Sequence, residues 1–183
     1  MNHIVLLEAK PTLIMQTENH TIAQTYPYFQ PPFNYILGSV FTLLSIWSIF
    51  GNMLVLVIVT RYKRMRTRTN LLLANLATID LLTGLLAIPF SAITAFNGGW
   101  VLSDTACQVN GFLNALFAAA SIHTLMYIAI HKYLSTKNIF SDGSPIRRII
   151  LMVFATWIWG LLFATALVTG WTRIEYKNGT TQV

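Results

Sequence analysis

One carboxylate lies inside a long apolar run. The stretch Asn70 to Phe96, NLLLANLATIDLLTGLLAIPFSAITAF, contains a single charged residue, Asp80. It is long enough to cross a bilayer, which takes roughly 20 apolar residues. Asp80 sits about 15 Å of helix rise from Asn70. A carboxylate at that depth costs at least roughly 2.5–3.5 kcal/mol to insert, so it needs a polar partner within a bundle. A second set of residues follows helical spacing: Cys107, Asn110, Asn114, Ala118, Ser121, Leu125, Ile128 and Lys132 share one face by the i, i+3, i+4, i+7 rule. That face is polar at one end, small in the middle, apolar deeper and cationic at the other end. A lipid-facing stripe would be apolar throughout, so this one is expected to face the bundle interior, with its polar half lining a ligand cavity. Ordinary contact between helices is the plainer alternative.

Other chemistry is poorly supplied. One cysteine excludes an internal disulfide and a cysteine-rich metal site. No paired carboxylates or nucleophile–base set suggests a catalytic residue. His123 and His131 stand on one helix, where two histidines alone are more often structural than metal-binding. A pore or transporter would favour ionisable residues in several spans, and only Asp80 lies deep.

The elements that must hold these residues follow from composition. The 183 residues are 55% hydrophobic and 10% charged, against roughly 25% charged in soluble domains. Residues 1–34 read as a turn-rich tail; the apolar run Ile4 to Leu7 is too short for a signal-peptide core. Four spans follow, at about 35–60, 70–96, 105–134 and 149–171, and residues 172–183 are polar again. The first span, with Gly38, Ser39, Thr42, Ser45, Ser48, Gly51 and Asn52, carries small residues that let helices approach, and it also serves as the insertion signal. Pro89 is expected to kink the second span. Asn97-Gly98-Gly99-Trp100 forms a turn with an interfacial tryptophan, and Asp104 is expected to N-cap the third helix.

Charge sets the topology. Arg61, Lys63, Arg64, Arg66, Arg68, Lys132, Lys137, Arg147 and Arg148 fall on one side, and Lys10, Arg173 and Lys177 on the other. By the positive-inside rule the first group is cytoplasmic and both termini are outside. The sequons at Asn19 and Asn178 then lie where glycans are added. The net charge of +6 is thereby explained without nucleic acid.

Several motifs in order carry a resemblance to rhodopsin-like (class A) G-protein-coupled receptors. Gly51-Asn52 resembles the first-helix motif and Leu76-Ala77-Thr78-Ile79-Asp80 the second-helix motif. Pro89 and Trp100 match a kink and a loop tryptophan, Cys107 the cysteine opening helix three, and Ser121 and Trp157 positions in helices three and four. Gly170-Trp171 resembles the end of helix four in opsin-like members. The match runs from about Tyr35 to Trp171. It implies an all-α integral membrane protein: four transmembrane helices of a seven-helix receptor bundle.

The resemblance also implies roles. Asp80 and Ser121 form half of an allosteric sodium pocket, the one cofactor it suggests, and Asn52 joins their polar network. Asn75 hydrogen-bonds Trp157. Asn110, Asn114 and Ala118 face an extracellular ligand of unknown class. His131, Lys132 and Tyr133 face a heterotrimeric G protein. Cys107 bridges to a cysteine of the second extracellular loop. The partners implied are that ligand, the G protein, membrane lipids and a receptor dimer. Departures accompany the match. No second cysteine is present, and helices five to seven are absent, so a truncated product, partial gene product or fragment is expected. Asn114 stands where amine receptors keep an aspartate, and His131-Lys132-Tyr133 replaces Asp-Arg-Tyr. A truncated, non-signalling decoy or dimerisation partner is the alternative function.

Overall fold

In hydrocarbon, a single apolar segment can satisfy its backbone only as a helix. The computed structural model describes residues 31–137 and 146–171, and four long helices dominate it. They are α1 (Phe33–Arg61), α2 (Arg68–Phe96), α3 (Asp104–Thr136) and α4 (Ile146–Ala166), the last continued by a π turn at Leu167–Trp171. A 3-10 turn, Lys63–Met65, joins α1 to α2. No strand occurs among the described residues. All four helices are long and apolar enough to cross a membrane. The end of the bundle carrying Arg61–Arg68 is termed the basic end, and the end carrying Asn97–Trp100 the far end. The tail with Asn19, the loop at 138–145 and the segment with Asn178 lie outside the described residues.

Local chemistry explains where the helices start and stop. Thr67 caps α2: its hydroxyl accepts from the Asn70 N–H at 3.3 Å, and the Asn70 amide donates back to the Met65 carbonyl at 2.8 Å. The helix therefore begins at Arg68 rather than Asn70. At α3 the expected cap is corrected by one residue. Ser103, not Asp104, accepts from the Ala106 N–H at 3.3 Å, while Asp104 occupies the first turn, where a carboxylate meets the positive end of the helix dipole. Helix α2 ends with Gly98 at φ 70°. Gly98 N–H donates to Ala95 O and Gly99 N–H to Thr94 O, both at 3.0 Å. This paired closure needs a left-handed residue just past the helix, which glycine adopts without a Cβ penalty.

The expected kink at Pro89 takes a different form. The disturbance lies just before the proline, as a π turn at Thr83–Ala87, because the ring of Pro89 removes an N–H donor and crowds the preceding turn.

Packing is sequential: α1 lies on α2, α2 on α3 and α3 on α4, with α2 also reaching α4. The apolar core belongs to α2, α3 and α4. One cluster joins Ile79, Ala87, Leu116, Phe117, Ala120 and Ala164; another, nearer the basic end, joins Leu72, Ile128 and Ile149. Gly160 lets α4 close on α3, since a Cβ there would lie 3.1 Å from the Leu116 carbonyl oxygen. Helix α1 is held differently. Gly38 packs on the Phe96 ring, and Asn34 donates to Phe96 O at 3.2 Å. Gly51, expected among the close contacts, meets nothing within 4 Å. The outward face of α1 is bulky and apolar, led by Trp47 and Phe50, as suits a lipid-facing surface.

Candidate functional site

Four groups of polar residues lie along the bundle. The first is complete. Trp157 Nε1–H donates to Asn75 Oδ1 at 3.0 Å, the Asn75 amide donates to Thr124 Oγ1 at 2.9 Å, and the Thr124 hydroxyl donates to Ala120 O at 2.8 Å. Because indole can only donate, the Asn75 carbonyl must face Trp157. The chain of donors ties α2, α3 and α4 together, with Asn75 and Thr124 buried.

The second group surrounds Asp80. Asn52 donates to Ser48 O at 2.9 Å and approaches Ser48 Oγ at 3.4 Å, and the Ser48 hydroxyl donates to the backbone carbonyl of Asp80 at 2.9 Å. Asn52 thus reaches Asp80 through Ser48 and its main chain. Among the described residues neither the Asp80 carboxylate nor the Ser121 hydroxyl has a hydrogen-bonding partner, and both residues are half-buried. Carboxylate and hydroxyl oxygens are each donors that suit a small cation, and these two side chains do not hydrogen-bond each other. No cluster of three His, Cys, Asp or Glu side chains occurs among the described residues.

The third group is the far half of α3. Cys107 and Asn110 are buried, Asn114 is half-buried and Ala118 is exposed. The Asn114 amide donates to both Asn110 O at 2.9 Å and Asn110 Oδ1 at 3.0 Å, so the two asparagines bond each other rather than another helix. Asn110 Nδ2 is buried with no hydrogen-bond partner. The expectation of an enclosed stripe is corrected here: Ala118, Leu125 and Lys132 are exposed. Both α2 and α4 pack against the flank of α3 that carries Phe117, Ala120 and Thr124 and reach Ile128, so the stripe is covered at Cys107, Asn110 and Ile128 and open at Ala118, Leu125 and Lys132.

The fourth group lies at the basic end. His131 is buried, with Nδ1 3.4 Å from Thr69 Oγ1 of α2. Lys132 and Tyr133 are exposed, and the Lys137 ammonium lies 5.9 Å from the centre of the Tyr133 ring. His123 sits apart: its Nδ1 is 2.9 Å from Ala119 O, and its ring packs against Trp159. Eight residues of helix, about 12 Å of rise, separate the two histidines, so they do not share an ion.

The sequence does not single out Thr124 and Thr69, and it marks Ser45 and Ser48 only as small residues that let helices approach. Each is a hydroxyl that crosses to a neighbouring helix. The available signal is weak, a Ser or Thr within an apolar helix near a glycine or amide on the next one.

Helices of this length with polar groups sunk between them define a multi-pass helical membrane protein whose buried sites are built from amides, hydroxyls and one carboxylate. The "7 transmembrane receptor (rhodopsin family)" matches residues 51–182, and the chain belongs to that family. It is 32% identical over 154 residues to the tyramine receptor tyra-2 of Caenorhabditis elegans, covering 83% of this chain and 32% of the relative. It is 30% identical over 173 residues to a rhodopsin of Camponotus atriceps, covering 94% and 45%. A high-affinity lysophosphatidic acid receptor of Xenopus laevis is 29% identical over 147 residues, covering 80% and 39%. The chain spans less than half the length of these relatives.

Proposed function

We propose that the chain supplies helices one to four of a plasma-membrane G-protein-coupled receptor, with the basic end in the cytoplasm and the far end toward an extracellular ligand. The observation that carries this reading is the Asn110–Asn114 pair of α3, set inside a bundle of membrane length, with the buried Asn110 Nδ2 given no partner by α1, α2 or α4. Asn110, Asn114 and Ala118 would meet the ligand, while His131, Lys132 and Tyr133 would meet the heterotrimeric G protein. An amide at Asn114 offers no fixed charge to a cationic amine, which favours a neutral ligand with hydrogen-bonding groups. Asp80 and Ser121 would hold a sodium ion, whose charge offsets the insertion cost of the carboxylate. Cys107 would bridge to the second extracellular loop, and Asn19 and Asn178 would carry glycans on the outer side.

The test is G-protein activation by the 183-residue chain and by the chain extended through its native downstream coding sequence. Ligand-driven activation is expected only from the extended form. Activation by the 183 residues in cells lacking any partner receptor would refute the division of labour proposed. Suppression of a co-expressed receptor would favour the second reading, a decoy or dimerisation partner, which the exposed Ala118, Leu125 and Lys132 of α3 also support. In the extended form, His131→Asp with Lys132→Arg is expected to raise agonist-driven activation. Lysine lacks the planar fork with which arginine makes bidentate contacts, and His131 gives its neighbour no anion. Equal activation before and after the change would make this substitution neutral.

A further inference from the structure

The π turn of α2 leaves a backbone account that does not balance within the helix. Ile88 N–H donates to Thr83 O, five residues back. In that register the Gly84 carbonyl would be served next by the N–H of residue 89, and residue 89 is proline, which has none. A buried carbonyl left without a donor is unfavourable. The missing donor comes from α1: the Ser45 hydroxyl, buried and 39 positions away, donates to Gly84 O at 2.7 Å. Ser48, one helical turn further on, donates to Asp80 O at 2.9 Å. The approach is close, since a Cβ on Gly84 would lie 3.2 Å from both Ser48 and Ile49.

From this geometry we infer that Ser45 is a positioning residue, whose hydroxyl holds the α2 π turn and so fixes the orientation of the far arm, Ile88–Phe96. One extra residue in a turn rotates everything beyond it by about 100° relative to an uninterrupted helix. The rotation decides that Ser91, Ala92, Thr94 and Ala95 are buried. It also sets Phe90 for stacking on Trp100, with ring centroids 6.4 Å apart and planes 13° from parallel. The far arm and Trp100 lie at the end of the bundle from which α3 starts. Through them Ser45, which would touch no ligand, governs the shape of the proposed ligand end. That consequence for ligands rests on the receptor reading, whereas the mechanical role of Ser45 does not.

The experiment is 19F NMR of the 183-residue chain labelled with 5-fluorotryptophan in lipid nanodiscs, with Trp100 and Trp157 assigned by Trp→Phe replacement. Ser45→Ala is expected to move the Trp100 signal or to shift its population ratio roughly three- to tenfold, the range a single net hydrogen bond sustains. The Trp157 signal stays in place, because its bond to Asn75 lies elsewhere. Ser45→Thr, which keeps a hydroxyl, retains the native Trp100 signal. Pro89→Ala restores an N–H, lets the helix regain its ordinary register and moves Trp100 by itself. Adding Ser45→Ala to Pro89→Ala then changes nothing further. An unmoved Trp100 in Ser45→Ala, additive shifts in the double variant, a Ser45→Thr signal resembling that of Ser45→Ala, or joint loss of the Trp100 and Trp157 signals in Ser45→Ala would each overturn the inference. No ligand or G protein enters the measurement, so failure of the receptor reading leaves it intact.

Discussion

Asn75 and Asn110 are the same side chain, both buried in apolar helices, with opposite fates. Asn75 accepts from α4 and donates to α3, so its amide is used on both sides. Asn110 accepts only from Asn114, one turn along its own helix, and its Nδ2 is unpartnered. The first arrangement is finished by three helices. The second is buried without being satisfied, which is unfavourable for stability. The contrast separates residues that hold the bundle together from residues that the bundle holds in place.

The comparison breaks most easily at the closed site. Asn75→Leu strips Trp157 of its acceptor and Thr124 of one donor, and should destabilise the chain by about 2 kcal/mol, read as a fall in the thermal unfolding midpoint in nanodiscs. A loss no larger than that of Asn114→Leu would erase the distinction between the two sites. Asp80→Asn should have an intermediate effect of a different kind. If the carboxylate holds sodium, the unfolding midpoint of the parent chain rises when potassium is exchanged for sodium, by an increment on the order of 1 kcal/mol at ten times the dissociation constant. The asparagine variant should show no such rise. A sodium response that survives the substitution would remove Asp80 from any cation site. The smallest effect is expected for Asn114→Leu, about 1 kcal/mol, because this half-buried amide bonds only its own helix and its loss leaves just the Asn110 Oδ1 without a donor. A penalty of about 2 kcal/mol there would mean that the Asn110–Asn114 pair is structural after all.

Much of the architecture was legible because bilayer length and the scarcity of charge mark the spans directly. Asp80 stood out for the same reason: the single charged residue in the run Asn70–Phe96 has no innocuous explanation in hydrocarbon. The pairing of Asn75 with Trp157 came from family resemblance alone, since their separation of 82 positions carries no local signal. The crossing hydroxyls were illegible for a specific reason. Thr42, Thr60, Thr78 and Thr94 each bond the carbonyl four residues back in their own helix, and nothing local distinguishes them from Ser45, which crosses to α2. Likewise Ser103 and Asp104 are both good caps, and backbone geometry chose between them. The direction of the α3 face depended on where α2 and α4 sit, which helical spacing within α3 cannot reveal.

The staple at Asn75 also has a timetable. Thr124 follows Asn75 by 49 positions and Trp157 follows it by 82. A ribosome adding about 5–20 residues per second therefore delivers the hydroxyl first and the indole seconds later. During that interval α2 and α3 can pair, but the Asn75 carbonyl waits in the membrane with its amide already engaged. The nascent chain thus presents a polar acceptor that vanishes when α4 docks.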